Sequence, residues 1–280
     1  MTARMTAAHV PDHSAPPATH HHHERPEMTT IDLYHEIHGP DDGSTPLVLV
    51  HGGAGVIDVD WGHGIRVLSP HRTLIAVELQ GHGHTPHHRR PYTFDNSAAD
   101  IAALVESLGV GQVDIMGFSN GGPTVLRFAL SRPELTRRVV VASGFTRRDG
   151  MIDGFWDSFD DPDPDGVPPL LAEAYRRINP APDDFRRMFE LDVTLMRGFV
   201  DWTDAALANL RAPTMFVGGD HDIVRGEHTL AMSRLVPDGR ALVVPAAHGD
   251  YLGAVVADEL DEALVDSAWR LITRFLDGDS

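Results

Sequence analysis

The segment Gly117-Phe118-Ser119-Asn120-Gly121 lies between an apolar run at 113–116 and a helix-like stretch at 122–130. A serine between two glycines, at a turn from strand to helix, projects its hydroxyl from a sharp bend with no room for larger flanking side chains. The backbone N–H of Asn120 is free to bind an oxyanion, because the first N–H groups of a helix have no acceptor within it. We predict that Ser119 is a covalent nucleophile and that Asn120 donates to the oxyanion.

Two later turns supply partners for this serine. The turn at 217–222 contains Asp220 and Asp222, and the turn at 245–249 contains His248. A serine hydroxyl needs an imidazole to take its proton, and a carboxylate must hold that imidazole in the correct tautomer. We predict His248 as the base and Asp222 as the carboxylate that orients it, with Asp220 as the next choice and Asp250 also nearby.

A glycine-rich turn, His51-Gly52-Gly53-Ala54-Gly55, ends an earlier apolar run at 47–50. Such a turn lets a second backbone N–H approach the nucleophile. We predict Gly53 as this second oxyanion donor, with Ala54 as the alternative, and we expect His51 to bond its own loop.

Composition narrows the chemistry further. The 280 residues carry a formal net charge of −18, contain no cysteine, and use only arginine as the basic residue. This charge repels phosphate backbones and anionic lipid, so neither nucleic acid nor a membrane is expected as a partner. Thiol nucleophiles, cysteine-ligated metals and lysine Schiff bases are excluded. We expect a small-molecule substrate, no cofactor, no metal, and a monomer or homodimer.

The organisation of the chain predicts one α/β domain with an insertion. Residues 1–28 are predicted to be a disordered tail, whose histidines at 20–23 are expected to be inert, although such a run can bind metal or be an expression tag. No apolar run approaches the roughly 20 residues that span a bilayer and no secretory signal is visible, so a cytoplasmic location is expected. Seven apolar runs alternate with helices capped by residues such as Asn96 or Ser97, which predicts a mostly parallel central sheet flanked by helices. The predicted runs are 31–38, 47–50, 74–77, 113–116, 139–141, 215–217 and 242–244, and the closing helix is 259–276.

Residues 145–210 interrupt this rhythm. They combine prolines, an acidic stretch at 157–165 and helical periodicity, and a structureless loop of such length is unusual in a compact domain. We predict an inserted helical lid, with the core formed by 29–144 and 211–280. Its aromatic side chains serve either to dock the lid or to line an apolar pocket, and both roles are compatible. The predicted pocket residues are Ala54, Phe118, Trp156 and Trp202.

Together these motifs resemble the α/β-hydrolase superfamily, specifically its compact bacterial, esterase-like members with an inserted lid. The resemblance runs from about residue 30 to the C-terminus and includes the turn Gly81-His82-Gly83-His84-Thr85; Glu78 and Gln80 stand where family members usually carry aspartate and arginine. It implies a triad of Ser119, Asp222 and His248 and the cleavage of small, apolar carboxylic esters or lactones. The alternatives are C–C bond hydrolysis, perhydrolysis or a lyase reaction with the same triad, or a non-catalytic ligand-binding homologue.

Two further clusters have ordinary explanations. His82, His84, His87 and His88 share one loop with no carboxylate at suitable spacing for a metal site. The arginine pairs at 147–148 and 176–177 could hold a substrate carboxylate, but we expect them to pair with the acidic stretch at the surface.

Overall fold

The structure, a computed structural model, describes residues 29–181, 183–254 and 260–278. The predicted tail at 1–28, with its histidines at 20–23, lies outside these residues. Glu259, the first residue of the predicted closing helix at 259–276, also lies outside them. Within the described residues the strands are β1 (His35–His38), β2 (Leu47–Val50), β3 (Leu74–Val77), β4 (Val113–Phe118), β5 (Thr136–Ala142), β6 (Thr214–Gly219) and β7 (Gly239–Val244).

These strands form one sheet in the order β1-β3-β2-β4-β5-β6-β7. Only β1 runs antiparallel to its neighbour, and it lies at the edge as predicted. The mostly parallel sheet predicted from the alternating pattern is therefore confirmed. The chain adds β3 on one side of β2 and β4 on the other side, so the direction in which strands are added changes at β2. In open parallel sheets, ligands bind at the carboxyl ends of the strands near such a point.

The helices cover both faces of the sheet. They are α1 (Ile57–Leu68), α2 (Phe94–Leu108), α3 (Gly121–Ser131), α4 (Pro169–Ile178), α5 (Asp184–Arg197), α6 (Asp204–Ala208), α7 (Gly226–Leu235) and α8 (Glu262–Asp277). Successive side chains of a strand point to opposite faces. Thus Val48 and Val50 pack in the core that contains residues of α2 and α3, whereas Leu47 and Leu49 pack in the core with residues of α1 and α8.

One predicted helix start was wrong. Thr93, not Asn96 or Ser97, caps α2, because its side chain accepts a hydrogen bond from the Asn96 N–H at 3.1 Å. A threonine three residues ahead of a free N–H is an ordinary capping arrangement, and the helix begins one turn earlier than the apolar periodicity indicated.

Residues 145–210, called the inserted segment below, follow β5 and contain α4, α5, α6 and three short 3₁₀ turns, Arg148–Gly150, Trp156–Phe159 and Pro164–Gly166. Two side chains of the inserted segment bond the 81–85 turn of the core: the Tyr175 hydroxyl donates to the Gly81 carbonyl at 3.2 Å, and Asn179 Nδ2 donates to the Gly83 carbonyl at 2.6 Å. Across the described ranges, no helix has the length and apolar character that crossing a membrane requires.

Candidate active site

Ser119 lies in the bend between β4 and α3, with φ of +51°. A Cβ on Gly117 would lie 2.2 Å from the Gly121 carbonyl oxygen, and a Cβ on Gly121 would lie 2.4 Å from the Val50 carbonyl oxygen. Both glycines are therefore required by backbone contacts. The bend is fixed by a hydrogen bond from the Ser119 N–H to the Ala142 carbonyl at 2.9 Å.

His248 is paired with Asp222. The ring nitrogen Nδ1 lies 2.6 Å from Asp222 Oδ1. Because a carboxylate accepts, Nδ1 carries the proton, and Nε2 of the neutral ring is then free to accept one. The structure thus brings together the imidazole and the carboxylate that the sequence proposed as partners.

The Asp222 carboxylate is fully buried and well satisfied. It accepts hydrogen bonds from the Ser143 hydroxyl and from the Val224 N–H at 3.1 Å. Burial alone would raise the pKa of Asp222, but the bond and charge of His248, together with these donors, outweigh burial and lower that pKa. The carboxylate is therefore ionised at neutral pH and can stabilise an imidazolium.

The two alternative carboxylates lie elsewhere. Asp220 is half exposed and bonds His221 Nδ1 at 2.8 Å and the Ala246 N–H at 3.1 Å. Asp250 accepts from the Ala247 N–H at 3.0 Å. Neither has a hydrogen bond to His248 within the described part of the chain, so both serve their own turns.

The His248 ring is held by Phe118, the residue that precedes Ser119. It packs on the Phe118 ring with centroids 4.8 Å apart. A Cβ on Gly249, where φ is +84°, would lie 2.8 Å from Phe118 Cζ, so this approach requires glycine. Among the described residues, the Ser119 hydroxyl has no hydrogen bond to the ring; catalytic hydrogen bonds are often long in a protein without substrate and tighten when it binds.

Sequence reasoning missed Ser143 and Tyr251, which support the carboxylate. Ser143 has φ of +48°, and its hydroxyl lies 2.8 Å from the Tyr251 hydroxyl as well as bonding Asp222. A usable signal did exist, since Ser143 directly follows β5 and the neighbouring strand β6 leads to Asp222. Parallel strands end at one edge of a sheet.

The glycine-rich turn after β2 leaves one N–H group free. The Gly52 N–H donates to Asp60 Oδ2 at 2.7 Å, and the Ala54 N–H donates to Asp192 Oδ2 at 2.7 Å. Between them, the Gly53 N–H has no acceptor in the part of the chain that the structure describes. The Asn120 N–H likewise has none there. Of the predicted oxyanion donors, Gly53 and Asn120 therefore keep a free N–H among the described residues, whereas the Ala54 N–H is already engaged.

A family model described as "alpha/beta hydrolase fold" matches residues 45–189. The chain belongs to this family.

Individual relatives of this α/β hydrolase differ in what their names say they act on. A pyrrolizixenacetamide deacetylase from Xenorhabdus hominickii is 27% identical over 70% of this chain and 81% of its own length. A 2-hydroxy-6-oxo-2,4-heptadienoate hydrolase from Pseudomonas putida is 36% identical, but over only 40% of this chain and 42% of its own length. The crystal structure of the enol-lactonase from Burkholderia xenovorans LB400 is similar in fold, with a TM-score of 0.69, 17% identity, and coverage of 88% of this chain and 96% of that one.

A cavity of about 560 Å³ lies at the elbow of this α/β hydrolase, which is the bend at 117–121 between β4 and α3. Ser119, Asn120, Gly53 and Ala54 line its base. The inserted segment supplies the opposite wall, with apolar side chains that include Phe155, Phe159, Phe189, Leu171, Val193 and Met196. A cavity of this size suits a small molecule.

Three of the four predicted pocket residues do not line this cavity, and their assignment is corrected. Phe118 packs on His248, as described above. The Trp156 ring stacks on Phe199 at 5.5 Å, and its Nε1 donates to the Arg148 carbonyl at 2.8 Å. Trp202 is buried, and the guanidinium carbon of Arg127 lies 4.1 Å from the centroid of the Trp202 ring. The sequence placed Trp156 and Trp202 in the insertion and Phe118 beside Ser119, but it could not say which surface each ring contacts. Of the four predicted pocket residues, only Ala54 lines the cavity.

The loop histidines do not converge on one another. His82 is buried, with Nδ1 3.0 Å from the Gln80 carbonyl and Nε2 3.3 Å from Asp192 Oδ2, whereas His84 pairs with Glu78 at 2.9 Å. His51 bonds its own loop, with Nδ1 2.7 Å from the Gly52 carbonyl, and burial lowers its pKa to about 3. These rings are structural groups of the loops around the site.

The predicted ion pairing of the arginines was wrong for Arg147 and Arg176. Arg147 pairs with Asp204 rather than with the acidic stretch at 157–165, and the Arg176 guanidinium lies 4.3 Å from the Phe185 ring centroid. Arg148 lies over Trp156 at 4.3 Å. No arginine of either pair lines the cavity among the described residues.

Proposed function

We propose that this α/β hydrolase cleaves small, uncharged and largely apolar carboxylic esters or lactones through an acyl-enzyme on Ser119. One observation carries the proposal: a buried, multiply bonded Asp222 holds His248 by Nδ1, and the His248 ring packs on Phe118, which directly precedes Ser119. That arrangement converts a weak hydroxyl nucleophile into a strong one.

The reaction proceeds in two balanced halves. Ser119 Oγ attacks the carbonyl carbon while His248 Nε2 takes the hydroxyl proton, and the Gly53 and Asn120 N–H groups stabilise the oxyanion. The intermediate collapses, and His248 gives its proton to the departing alcohol. Water then gives a proton to His248 and attacks the acyl carbon. As this second intermediate collapses, His248 returns the proton to Ser119 Oγ, which restores the serine and releases the acid. Asp222 stays ionised throughout and stabilises the imidazolium.

The cavity wall favours uncharged substrates. Asp161, Asp163 and Asp192 line it, whereas no arginine does among the described residues. Asp161 and Asp163 are exposed and make no ion pair within the described chain. A substrate anion on the order of 8 Å from each would lose about 0.5 kcal/mol per carboxylate in a water-like medium. The phenylalanine rings meanwhile favour an apolar acyl or alcohol group.

C–C bond hydrolysis is the second candidate. It is supported by the 36% identity to a hydrolase whose named substrate is a dienoate. A dienoate is a carboxylate, however, and the wall of this cavity offers acidic side chains where an anion would call for a bidentate arginine. The charge of the cavity therefore favours the ester.

A serine-reactive fluorophosphonate and a series of p-nitrophenyl esters from acetyl to octanoyl test the proposal. We expect stoichiometric labelling of the wild-type protein and turnover that depends on the length of the acyl chain of the ester. Ser119→Ala should abolish labelling and lower kcat by at least about 10⁴-fold, with an unchanged melting temperature.

Ser267→Ala is the matched control, because Ser267 is exposed on α8 outside the cavity lining, and its hydroxyl donates to the Ala263 carbonyl at 2.7 Å. This variant should label and turn over normally. Equal labelling and turnover of Ser119→Ala and the unvaried protein would refute the acyl-enzyme. Turnover of a dienoate but of no ester would favour C–C hydrolysis, and binding without any turnover would indicate a ligand-binding homologue.

A further inference from the structure

A carboxylate from the inserted segment reaches the turn that carries Gly53. Asp192 lies on α5, is only 8% exposed, and accepts the Ala54 N–H at 2.7 Å across 138 positions of sequence. A Cβ on Gly53 would lie 3.4 Å from Asp192 Oδ2 and 2.9 Å from Asn120 Nδ2. Gly53 is thus enclosed between the elbow and the inserted segment.

The backbone at Ala54 needs this support. Its φ of +53° lies in the left-handed region, which costs a residue with a Cβ about 1–2 kcal/mol relative to the right-handed one. Such a conformation persists only where surrounding contacts fix it. The Ala54 N–H donates its hydrogen bond to Asp192, and this bond constrains the peptide plane between Gly53 and Ala54.

Asp192 is itself held by the buried His82 ring. His82 has both ring nitrogens beside acceptors, the Gln80 carbonyl at 3.0 Å and Asp192 Oδ2 at 3.3 Å, so each nitrogen is a donor. Burial alone would lower the pKa of His82, but the charge and bond of Asp192 outweigh it and the pKa is raised.

Asp192 is also costly to bury. Its Oδ1 has no hydrogen-bond partner among the described residues, and an unsatisfied buried polar group costs about 1–3 kcal/mol. A side chain that only attached the inserted segment could be apolar, as most of its neighbours in the cavity wall are. Such a local cost is typical of a functional position.

We infer that Asp192 is a positioning residue for the reaction: by accepting the Ala54 N–H, it sets the turn so that the Gly53 N–H faces the oxyanion. Asp60 holds Gly52 from the core, and Asp192 holds Ala54 from the inserted segment. The oxyanion site is therefore complete only while α5 is seated on the core. This inference rests on the proposed function.

Steady-state kinetics with p-nitrophenyl butyrate separate this role from simple attachment. Loss of one oxyanion donor costs about 10²–10³-fold in turnover, and a misplaced donor loses part of that. For Asp192→Ala we expect kcat to fall by about 10–100-fold, with KM changed by less than about threefold. Asp192→Asn keeps an oxygen that can accept the Ala54 N–H and should retain kcat within about threefold.

Glu190→Gln is the matched control, because Glu190 lies exposed on the same helix and its side chain has no hydrogen bond or ion pair within the described chain. It should leave kcat and KM unchanged. If Asp192→Ala does not fold, the double variant Asp192→Ala/His82→Leu removes both members of the buried pair, so that no charge is left buried alone, and it should show the same loss of kcat.

Two outcomes would overturn the inference: Asp192→Ala with kcat near that of the unvaried protein, or a loss carried by KM alone. In either case Ser119-dependent turnover of the unvaried protein would still support the proposed function. A protein whose turnover does not depend on Ser119 would overturn both.

Discussion

The two walls of the active site are built in different ways. The wall made by the ends of β2, β4 and β6 is held by backbone contacts and by hydrogen bonds to the buried Asp222. The wall made by the inserted segment consists largely of apolar side chains and exposed carboxylates. A few polar contacts attach that wall to the core, among them those of Asp192, Tyr175 and Asn179. This contrast supports our proposal that the sheet side carries the chemistry and that the inserted side selects the substrate.

The largest expected effect tests the sheet side. Asp222→Asn should lower kcat by about 10⁴-fold, because an amide favours the wrong tautomer of His248. Asp220→Asn, two residues away, should change kcat by less than about threefold, because Asp220 bonds only its own turn. Stopped-flow or steady-state ester hydrolysis measures both, and an equal loss in the two variants would contradict the assignment of the carboxylate.

The next prediction compares one glycine from each wall. Gly121→Ala would place a Cβ 2.4 Å from the Val50 carbonyl oxygen, whereas a Cβ on Gly166 in the inserted segment meets nothing within 4 Å. Overpacking against backbone costs about 1–3 kcal/mol, so Gly121→Ala should lower the free energy of unfolding by that amount. Gly166→Ala should change it by less than about 0.5 kcal/mol. Urea denaturation gives both values, and equal tolerance would mean that the two walls are equally adaptable.

Charge selection by the inserted wall is a smaller effect. The ratio of kcat/KM for p-nitrophenyl butyrate to that for the anionic mono-p-nitrophenyl glutarate should fall by about fivefold in Asp161→Asn/Asp163→Asn, because two repulsions of about 0.5 kcal/mol each are removed. Added salt should reduce the same ratio in the unvaried protein. Asp157→Asn, an exposed change outside the cavity lining, is the control. A ratio unaffected by the double variant would show that the inserted wall does not select by charge.

The smallest expected effect concerns the attachment of the inserted wall by His82 and Asp192. The pKa of His82 is raised in the folded protein, so its protonation stabilises the fold. That contribution is fully present below the unfolded pKa of about 6.5 and is lost as pH rises through the folded pKa. The difference in melting temperature between the unvaried protein and His82→Gln should therefore shrink by a few degrees from pH 6 to pH 9, at about 2–4 °C per kcal/mol. A difference that stays constant with pH would show that His82 is not protonated in the fold.

Local pattern located each described strand of the sheet, although β5 and β7 each begin three residues before the predicted runs at 139–141 and 242–244. The buried runs 47–50 and 74–77 coincide with β2 and β3, because parallel strands covered on both faces are continuously apolar. Helices α1 and α7 were not anticipated. Neither has a side-chain cap hydrogen bond at its start, so the sequence lacked the usual signal for a helix beginning.

The candidate site also contains residues that the sequence could predict and residues that it could not. Ser119, Asp222 and His248 follow or lie near strand ends, and their order along the chain predicted the contact between Asp222 and His248 that the structure contains. Asp192 gave no comparable signal, because a single acidic residue on an amphipathic helix is usually solvated. Trp156 and Trp202 carried a misleading signal, since aromatic rings in an insertion pack on one another as readily as they line a cavity.

The amino-acid sequence by itself determined the strand pattern, the glycine-bounded elbow and the choice of Ser119 and His248 as candidate nucleophile and base, because these depend on short-range periodicity and on backbone space. Only the tertiary structure decided which carboxylate meets His248, which N–H groups are left free, and which side chains wall the cavity. Those contacts join residues far apart in the chain, and their partners are fixed by how the helices pack on the sheet.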